Sequence, residues 1–274
     1  MERIKKAVAR AEKEREKNIP SSTSRSVNES SLDQDLNNSS ELSIDYSKTK
    51  TIEVDMATRE SNRLVASIPD HFLQDTYGML RTRVLQEMEK NNWKSIAVTS
   101  PTRGSGKTLT AVNLSISIAM DHSHSALLID ADLRRPSVHK YFGCNPGAGL
   151  SDYLTEKISL EEILFNPSME RLSVLPNTIS VRESAEMLGS NKWQSLINEV
   201  SARYNERIIV ADIAPVLHVD DALKIAKTVD CWLMVVENGR TKREQLRQAL
   251  DLLSEFPVIG TVLNKSERKV ADRY

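Results

Sequence analysis

The chain of 274 residues has two cysteines, no long apolar run and almost no net charge, and each scarcity closes a class of function. Cys144 and Cys231 stand 87 positions apart, and neither has a second Cys or a His at metal-ligand spacing. A disulfide framework and a zinc knuckle are excluded. The longest apolar stretches, such as CWLMVV from Cys231 to Val236, are six residues, against the roughly 20 that a membrane-spanning helix needs. No bilayer crossing is expected. The first fifteen residues mix charges instead of joining a basic start to an apolar run, so no secretory signal is read and a cytoplasmic address is expected. Thirty-seven Lys plus Arg against 38 Asp plus Glu leave a charge of −1, which gives no bulk affinity for nucleic acid.

What is present divides by composition. Residues 2 to 17 are helix formers with a thin apolar stripe (Ile4, Ala7, Val8, Ala11) on a rod of charge +3. From Ser21 to Ser47, ten of 27 residues are serine, too little apolar area to offset the entropy of ordering, and a disordered tether is expected. Residues 1–66 are therefore read as an extension, 67–266 as one folded domain, and 267–274 as a tail. Within the domain, short runs rich in Val, Ile and Leu (Ser95 to Thr99, Ala126 to Ile129, Leu172 to Leu175, Ile208 to Val210, Trp232 to Val236, Val258 to Leu263) read as strands covered on both faces. Helical stripes separate them, such as Leu109, Val112, Ile116 and Ala119. The alternation predicts an α/β fold, a parallel β-sheet flanked by helices in three layers.

The first core strand runs into PTRGSGKT, residues 101 to 108, and then into a helix. Glycines at 104 and 106 let the backbone curl so that successive N–H groups face phosphate oxygens, and the helix N-terminus adds its positive end. Lys107 is expected to reach the outer phosphates and the Thr108 hydroxyl to ligate Mg²⁺. A strict phosphate-loop pattern has Gly at position 101, where this chain has Pro, so the loop must begin differently. The second strand ends in LLIDADLRRP, which brings Asp130 and Asp132 to the carboxyl edge where open α/β sheets bind ligands. A cation would relieve their repulsion, one of them could take a proton from an attacking hydroxyl, and an ordinary turn or cap is the plain alternative. Asp212 closes a third strand in ERIIVADIAP, as a holder of Mg²⁺ directly or through water. Trp93, Trp193 and Trp232 read as packing the core or its rim, and His139 and His218 as structural or capping groups near the site.

With these motifs in place, the chain resembles the bacterial tyrosine kinases of the polysaccharide co-polymerase system, and more closely the tyrosine autokinases associated with exosortases. The likeness is carried by VTSPTRGSGKTLTAVNLSISIAM (98 to 120), LLIDADLRRPSVHKYFG (127 to 143), DDALKIAKTVD (220 to 230), VVENGRTKREQLRQALDLL (235 to 253) and TVLNKS (261 to 266). It implies the P-loop nucleotide-hydrolase fold. It also implies ATP and Mg²⁺ as cofactors, with Gly104, Ser105, Gly106, Lys107, Thr108 and Leu109 on the phosphates. Thr108, Asp130, Asp132 and Asp212 would serve the metal, Lys107 with the three aspartates catalysis, Arg134 the D-x-D-x-R element, and Asn264 the adenine.

The resemblance further implies autophosphorylation in trans on a tail tyrosine, here Tyr274, within a homo-oligomer. The expected partner is a transmembrane polysaccharide co-polymerase, a chain-length determinant that would bring the protein to the membrane, in control of exopolysaccharide or capsule assembly. Departures are visible: one tail tyrosine in place of a cluster, and Asp75, Gly78 and Arg81 in DTYGMLR where the family has the ring-forming E-x-x-R-x-x-R. Arg103 and Ser105 stand where Pro and Glu are usual in the loop. The single tail tyrosine and the incomplete ring motif favour a second class, a nucleotide-responsive interaction module of the co-polymerase with little or no tyrosine transfer.

Overall fold

The structure, a computed structural model, describes residues 49–203 and 206–266. The expected helix at 2–17, the serine-rich tether and the tail with Tyr274 lie outside the described residues, as do Tyr46 and Tyr204. In chain order the elements are β1 (Lys50–Thr51), α1 (Met56–Ser61), a 3₁₀ turn (Val65–Ser67), α2 (Gln74–Lys90), β2 (Ser95–Thr99), α3 (Lys107–Ala119) and β3 (Ser125–Asp130). Then come α4 (Val138–Tyr141), α5 (Leu150–Leu154), α6 (Leu160–Ile163), β4 (Phe165–Asn166), β5 (Leu172–Leu175), α7 (Ser184–Leu188), α8 (Asn191–Arg203) and β6 (Arg207–Asp212). The last are α9 (Asp221–Ile225), β7 (Cys231–Glu237), α10 (Arg243–Leu252) and β8 (Val258–Asn264).

The strands form one sheet in the order β1-β4-β5-β3-β6-β2-β7-β8, parallel throughout except where β4 meets β5. All six strands read from the apolar runs are present, two with the bounds read (Ser95–Thr99 and Leu172–Leu175) and four with one or both ends extended by one or two residues. Successive residues of a strand point to opposite faces, and each face has its own core. Ala97, Leu127, Ile129, Ile209 and Ala211 pack with Trp193, Leu196 and Val200 of α8. Ile96, Val98, Leu128, Ile208 and Val210 pack with α3 and α2. Trp193 and Trp232 are fully buried, and the Trp193 indole N–H donates to Thr228 Oγ1 at 2.8 Å. The expected three-layer α/β architecture is what the chain adopts.

Two features go beyond the sequence pattern. The stripe Leu109, Val112, Ile116 and Ala119 marks one helical face, yet every residue of α3 except Leu109 is buried. Its outer side is covered by α2 and by the segment before it. That covering moves the start of the folded body. Val54, Leu64, Val65 and Ala66, assigned from composition to the extension, are buried, and all but Val65 join the cluster around α3. One apolar residue at 54 and a run of three at 64–66 are too few to read as an element, and the uncovered side of α3 is what draws them in. Asn113 fixes the attachment: its Nδ2 donates to the Arg63 and Leu109 carbonyls at 3.0 Å each, and its Oδ1 accepts the Ala66 N–H at 2.9 Å.

Asn113→Ala would leave the Arg63 carbonyl and the Ala66 N–H without these partners beneath the segment, which costs about 1–3 kcal/mol. Urea unfolding should show that loss, with faster proteolysis between residues 49 and 92. Unchanged stability would mean that the segment is held by its apolar contacts alone.

Candidate active site

The central strands β2, β6 and β3 lie side by side and in register, Val98 opposite Asp212 and Asp212 opposite Asp130, so that everything leaving their carboxyl ends meets at one edge. From β2 the chain turns through residues 100–106 into α3. The Ser100 and Ser105 hydroxyls both donate to the Thr102 carbonyl, at 2.8 and 3.0 Å, and pull the loop tight. Gly104 has φ 84° and Gly106 φ 88°, in the left-handed region where a side chain is strained. At 106 there is also no space, since a β-carbon would stand 2.1 Å from Asn264 Nδ2.

The loop carbonyls are taken from the far side: Asn264 Nδ2 donates to the Ser105 carbonyl at 2.9 Å, and Lys265 Nζ to the Gly104 carbonyl at 2.7 Å. The N–H groups of Ser105 and Gly106 meet no protein acceptor among the described residues. Such paired donors at a helix N-terminus are an anion-binding nest.

Charge at this edge is concentrated on Lys107. Its ammonium lies 2.9 Å from Asp132 Oδ2 and 3.0 Å from Asp212 Oδ1. Burial alone would depress the lysine, but Asp212 and Asp132 outweigh it and hold its pKa above the ordinary value. Thr108 Oγ1 donates to Asp212 Oδ2 at 2.6 Å. Burial also pushes the Asp212 carboxyl up, against the pull of Lys107. Asp130 is enclosed one layer deeper. Its Oδ2 accepts the Ser137 and Val138 N–H groups at 2.9 Å each, and its Oδ1 is buried with no hydrogen-bond partner among the described residues. Burial, and then the nearby Asp212, push the Asp130 carboxyl well above the usual carboxylate range.

Two carboxyls on one ammonium, with Asp130 behind them, leave an acidic excess, the setting in which a divalent cation is welcome. No three His, Cys, Asp or Glu converge to hold a metal among the described residues. An Mg²⁺ ion here would take most of its ligands from phosphate and water, as that ion usually does. The residues fit such an ion brought in by a nucleotide.

The edge opens into a cleft of about 550 Å³. Its floor is Gly104, Gly106, Lys107, Thr108 and Leu109, with Asp132 and Arg134 at one side and Asn264 with Lys265 at another. Asp130 and Asp212 lie behind that surface. Arg134 points to Asp221 Oδ1 at 3.7 Å, and Asp221 also accepts the Ser184 hydroxyl at 2.8 Å. Ala214, Pro215 and His218, from the loop after β6, line another side, and the Thr99 hydroxyl holds that loop at the Ala214 carbonyl, 2.9 Å away.

Sequence reasoning missed the remaining wall, made by Arg63, Val65, Leu73 and Tyr77 from the preceding segment with Tyr141 of α4. Burial pushes the Tyr77 phenol up to about 12, and burial followed by Asp212 raises that of Tyr141. Lys265 was missed as well, although its place one residue past a strand end that meets the loop was a usable signal.

A curled Gly-rich loop between a central parallel strand and a helix, with its lysine facing acids at the end of one neighbouring strand and just past the end of the next, defines a P-loop ATPase domain. Residues 93–255, more than half of the chain, match the family described as AAA domain. Tyrosine-protein kinase YwqD of Bacillus subtilis is 30% identical over 207 residues, covering 75% of this chain and 86% of that protein. The VpsO kinase domain superposes with a TM-score of 0.64 at 27% identity, over 77% of this chain and 98% of that one. At the level of fold alone, the septum site-determining protein MinD of Pyrococcus horikoshii, solved with Mg-ADP, matches with a TM-score of 0.54 at 20% identity, over 65% of this chain and 73% of that one. The chain belongs to the bacterial tyrosine-protein kinases of the P-loop type.

The enclosed acid yields a test by pH. Because the folded-state pKa of Asp130 is raised, the folded chain binds more protons than the unfolded chain between the ordinary carboxylate range and the raised value, and this group's stability contribution falls as pH rises through that window. Asp130→Asn keeps an acceptor for Ser137 and Val138 and carries no charge to desolvate. The nucleotide-free variant should melt above the wild type at pH 7, with the gap closing towards about pH 3. A gap that widens on acidification would contradict the assignment.

Proposed function

We propose that the chain is an Mg²⁺- and ATP-dependent tyrosine autokinase that transfers the γ-phosphoryl group to Tyr274 of a neighbouring copy. Its task would be to control exopolysaccharide or capsule assembly beside a transmembrane chain-length partner. One observation carries the reading: Lys107 and Thr108 rise from an amide-lined loop into direct contact with acids from two adjacent strands. Among the described residues, no helix is long and apolar enough to cross a membrane, and the proposal assigns that crossing to the partner.

The loop amides of Ser105 and Gly106, with those opening α3, bind and orient the phosphates, and Lys107 leaves its carboxylates to accompany the transferring group. Mg²⁺, when bound, would neutralise phosphate charge, with Thr108 and Asp212 nearest to hold it, Asp130 behind them and Asp132 left free to act as base. Released from Lys107, Asp132 is the acid on the cleft surface, and it takes the proton from the tyrosine hydroxyl. The phenol oxygen forms its bond to the γ-phosphorus as the bridging oxygen departs with ADP, so the proton rests on the carboxylate and the phosphoryl group on tyrosine. Such transfer is mostly positioning and charge stabilisation. Arg134, tied to Asp221, supports this side of the cleft, and Asn264 at the opposite side meets the adenine.

A second reading, a nucleotide-responsive module with little transfer, is favoured by Arg81. In the ring motif this residue would face a neighbour, but here it donates to the Ser117 carbonyl at 2.9 Å and lies 4.0 Å from Asp121.

Incubating the full chain with Mg·ATP and mapping phosphotyrosine by mass spectrometry separates the two. The kinase reading expects label on Tyr274 that Tyr274→Phe removes, that Lys107→Met abolishes, and that Asp132→Asn lowers by about 10²–10⁴-fold. Nucleotide binding without label on any tyrosine would leave the module.

A further inference from the structure

Two donors from the end of β8 hold the phosphate loop, and only Asn264 has so far been given a role. Its neighbour Lys265, with a side chain 48% exposed, is nonetheless held by hydrogen bonds at both its backbone and its ammonium. Its backbone stands at φ 56°, a left-handed conformation that lysine rarely adopts, as the chain leaves the strand. Its own N–H donates to Asn264 Oδ1 at 2.8 Å. Its ammonium bridges Glu237 Oε1, at 3.0 Å, and the Gly104 carbonyl, at 2.7 Å. Glu237 closes β7, the strand beside β8, and its side chain is only 11% exposed. A second cation faces it, Arg240, at 3.8 Å and 72% exposed. The ammonium is thus anchored on a nearly buried carboxylate and aimed at one loop carbonyl.

That carbonyl matters because a trans peptide is planar, with its C=O and the next N–H pointing in opposite directions. Holding the Gly104 carbonyl fixes the direction of the Ser105 N–H, and Asn264 does the same for the Gly106 N–H through the Ser105 carbonyl. Glycine at 104 gives this peptide unusual freedom to rotate, so an external grip has the most to do there. We infer that Lys265, anchored by Glu237, is a positioning residue for nucleotide binding: it sets the Ser105 amide in the orientation that receives a phosphate oxygen. The inference rests on the nucleotide-binding half of the function proposed above and goes beyond it in naming what shapes the loop.

The test uses the full chain, MgCl₂ and a fluorescent ATP analogue, with Kd from titration and kcat from phosphotyrosine formation at saturating ATP. Lys265→Met should raise Kd about five- to twentyfold, a part of what one charge-assisted hydrogen bond contributes because the loop and not the ligand loses it, with kcat within about twofold and the nucleotide-free melting temperature little changed. Lys265→Arg should restore most of the affinity, and Glu237→Gln should lose part of it. Unchanged Kd in Lys265→Met, or a loss that follows a fall in melting temperature and is not restored by arginine, overturns the inference. A wild-type chain that binds no nucleotide overturns the functional reading and this inference together, whereas a wild type that binds and a methionine variant that binds equally well overturns the inference alone.

Discussion

The active edge depends on keeping one ammonium charged where its surroundings oppose charge. Lys107 is nearly buried, and Asp132 with Asp212 more than offset the loss of water. That arrangement could not arise from a local motif, because the two acids come from different strands and reach the lysine only through the parallel register of β3, β6 and β2. The sheet therefore acts as a jig. A register slip of one residue would turn Asp130 and Asp212 to the opposite face and leave the lysine stranded. The enclosed Asp130 fits the same logic: with two neighbouring acids already facing one cation, it is the group most readily held neutral.

Much of this was legible in the amino-acid order. Strands buried on both faces must be continuously apolar, so SIAVT, LSVL and CWLMVV announce themselves. Gly-x-Gly-Lys-Thr between the first of them and a helix is seldom anything but a phosphate loop, and acids closing two more strands complete the pattern. The two-residue strands β1 and β4 left no trace, being too short to show alternation. The wall made by Arg63, Val65, Leu73 and Tyr77 was invisible for a different reason. Arg63, Val65 and Leu73 belong to no long periodic element, Tyr77 stands in the first turn of α2, and the segment before that helix is placed by the open side of α3 and by a single asparagine, Asn113, in the middle of α3. Asp130 shows the opposite failure. Its position at a strand end was read correctly as belonging to the edge, but only the fold shows that it faces the N–H groups opening α4 instead of the cleft.

The loop itself illustrates how a motif and its surroundings divide the work. Glycine at 104 and 106 supplies conformations that other residues avoid, and the same permissiveness would leave the peptide planes free to turn. Rigidity comes from elsewhere, through donors at the end of β8 and the bare space that Gly106 leaves for Asn264. Conformational access and conformational choice are thus assigned to different parts of the chain.

The family match ends at residue 255 and begins at 93, yet the cleft has a wall on either side of those limits. Anyone trimming the polypeptide to its recognisable homology region for expression would keep the Gly-Lys-Thr signature and discard Tyr77 before it and Asn264 after it. The shortened product would carry the hallmark of a nucleotide enzyme on a pocket missing two of its sides, and an inactive preparation of that kind would say nothing about the natural molecule.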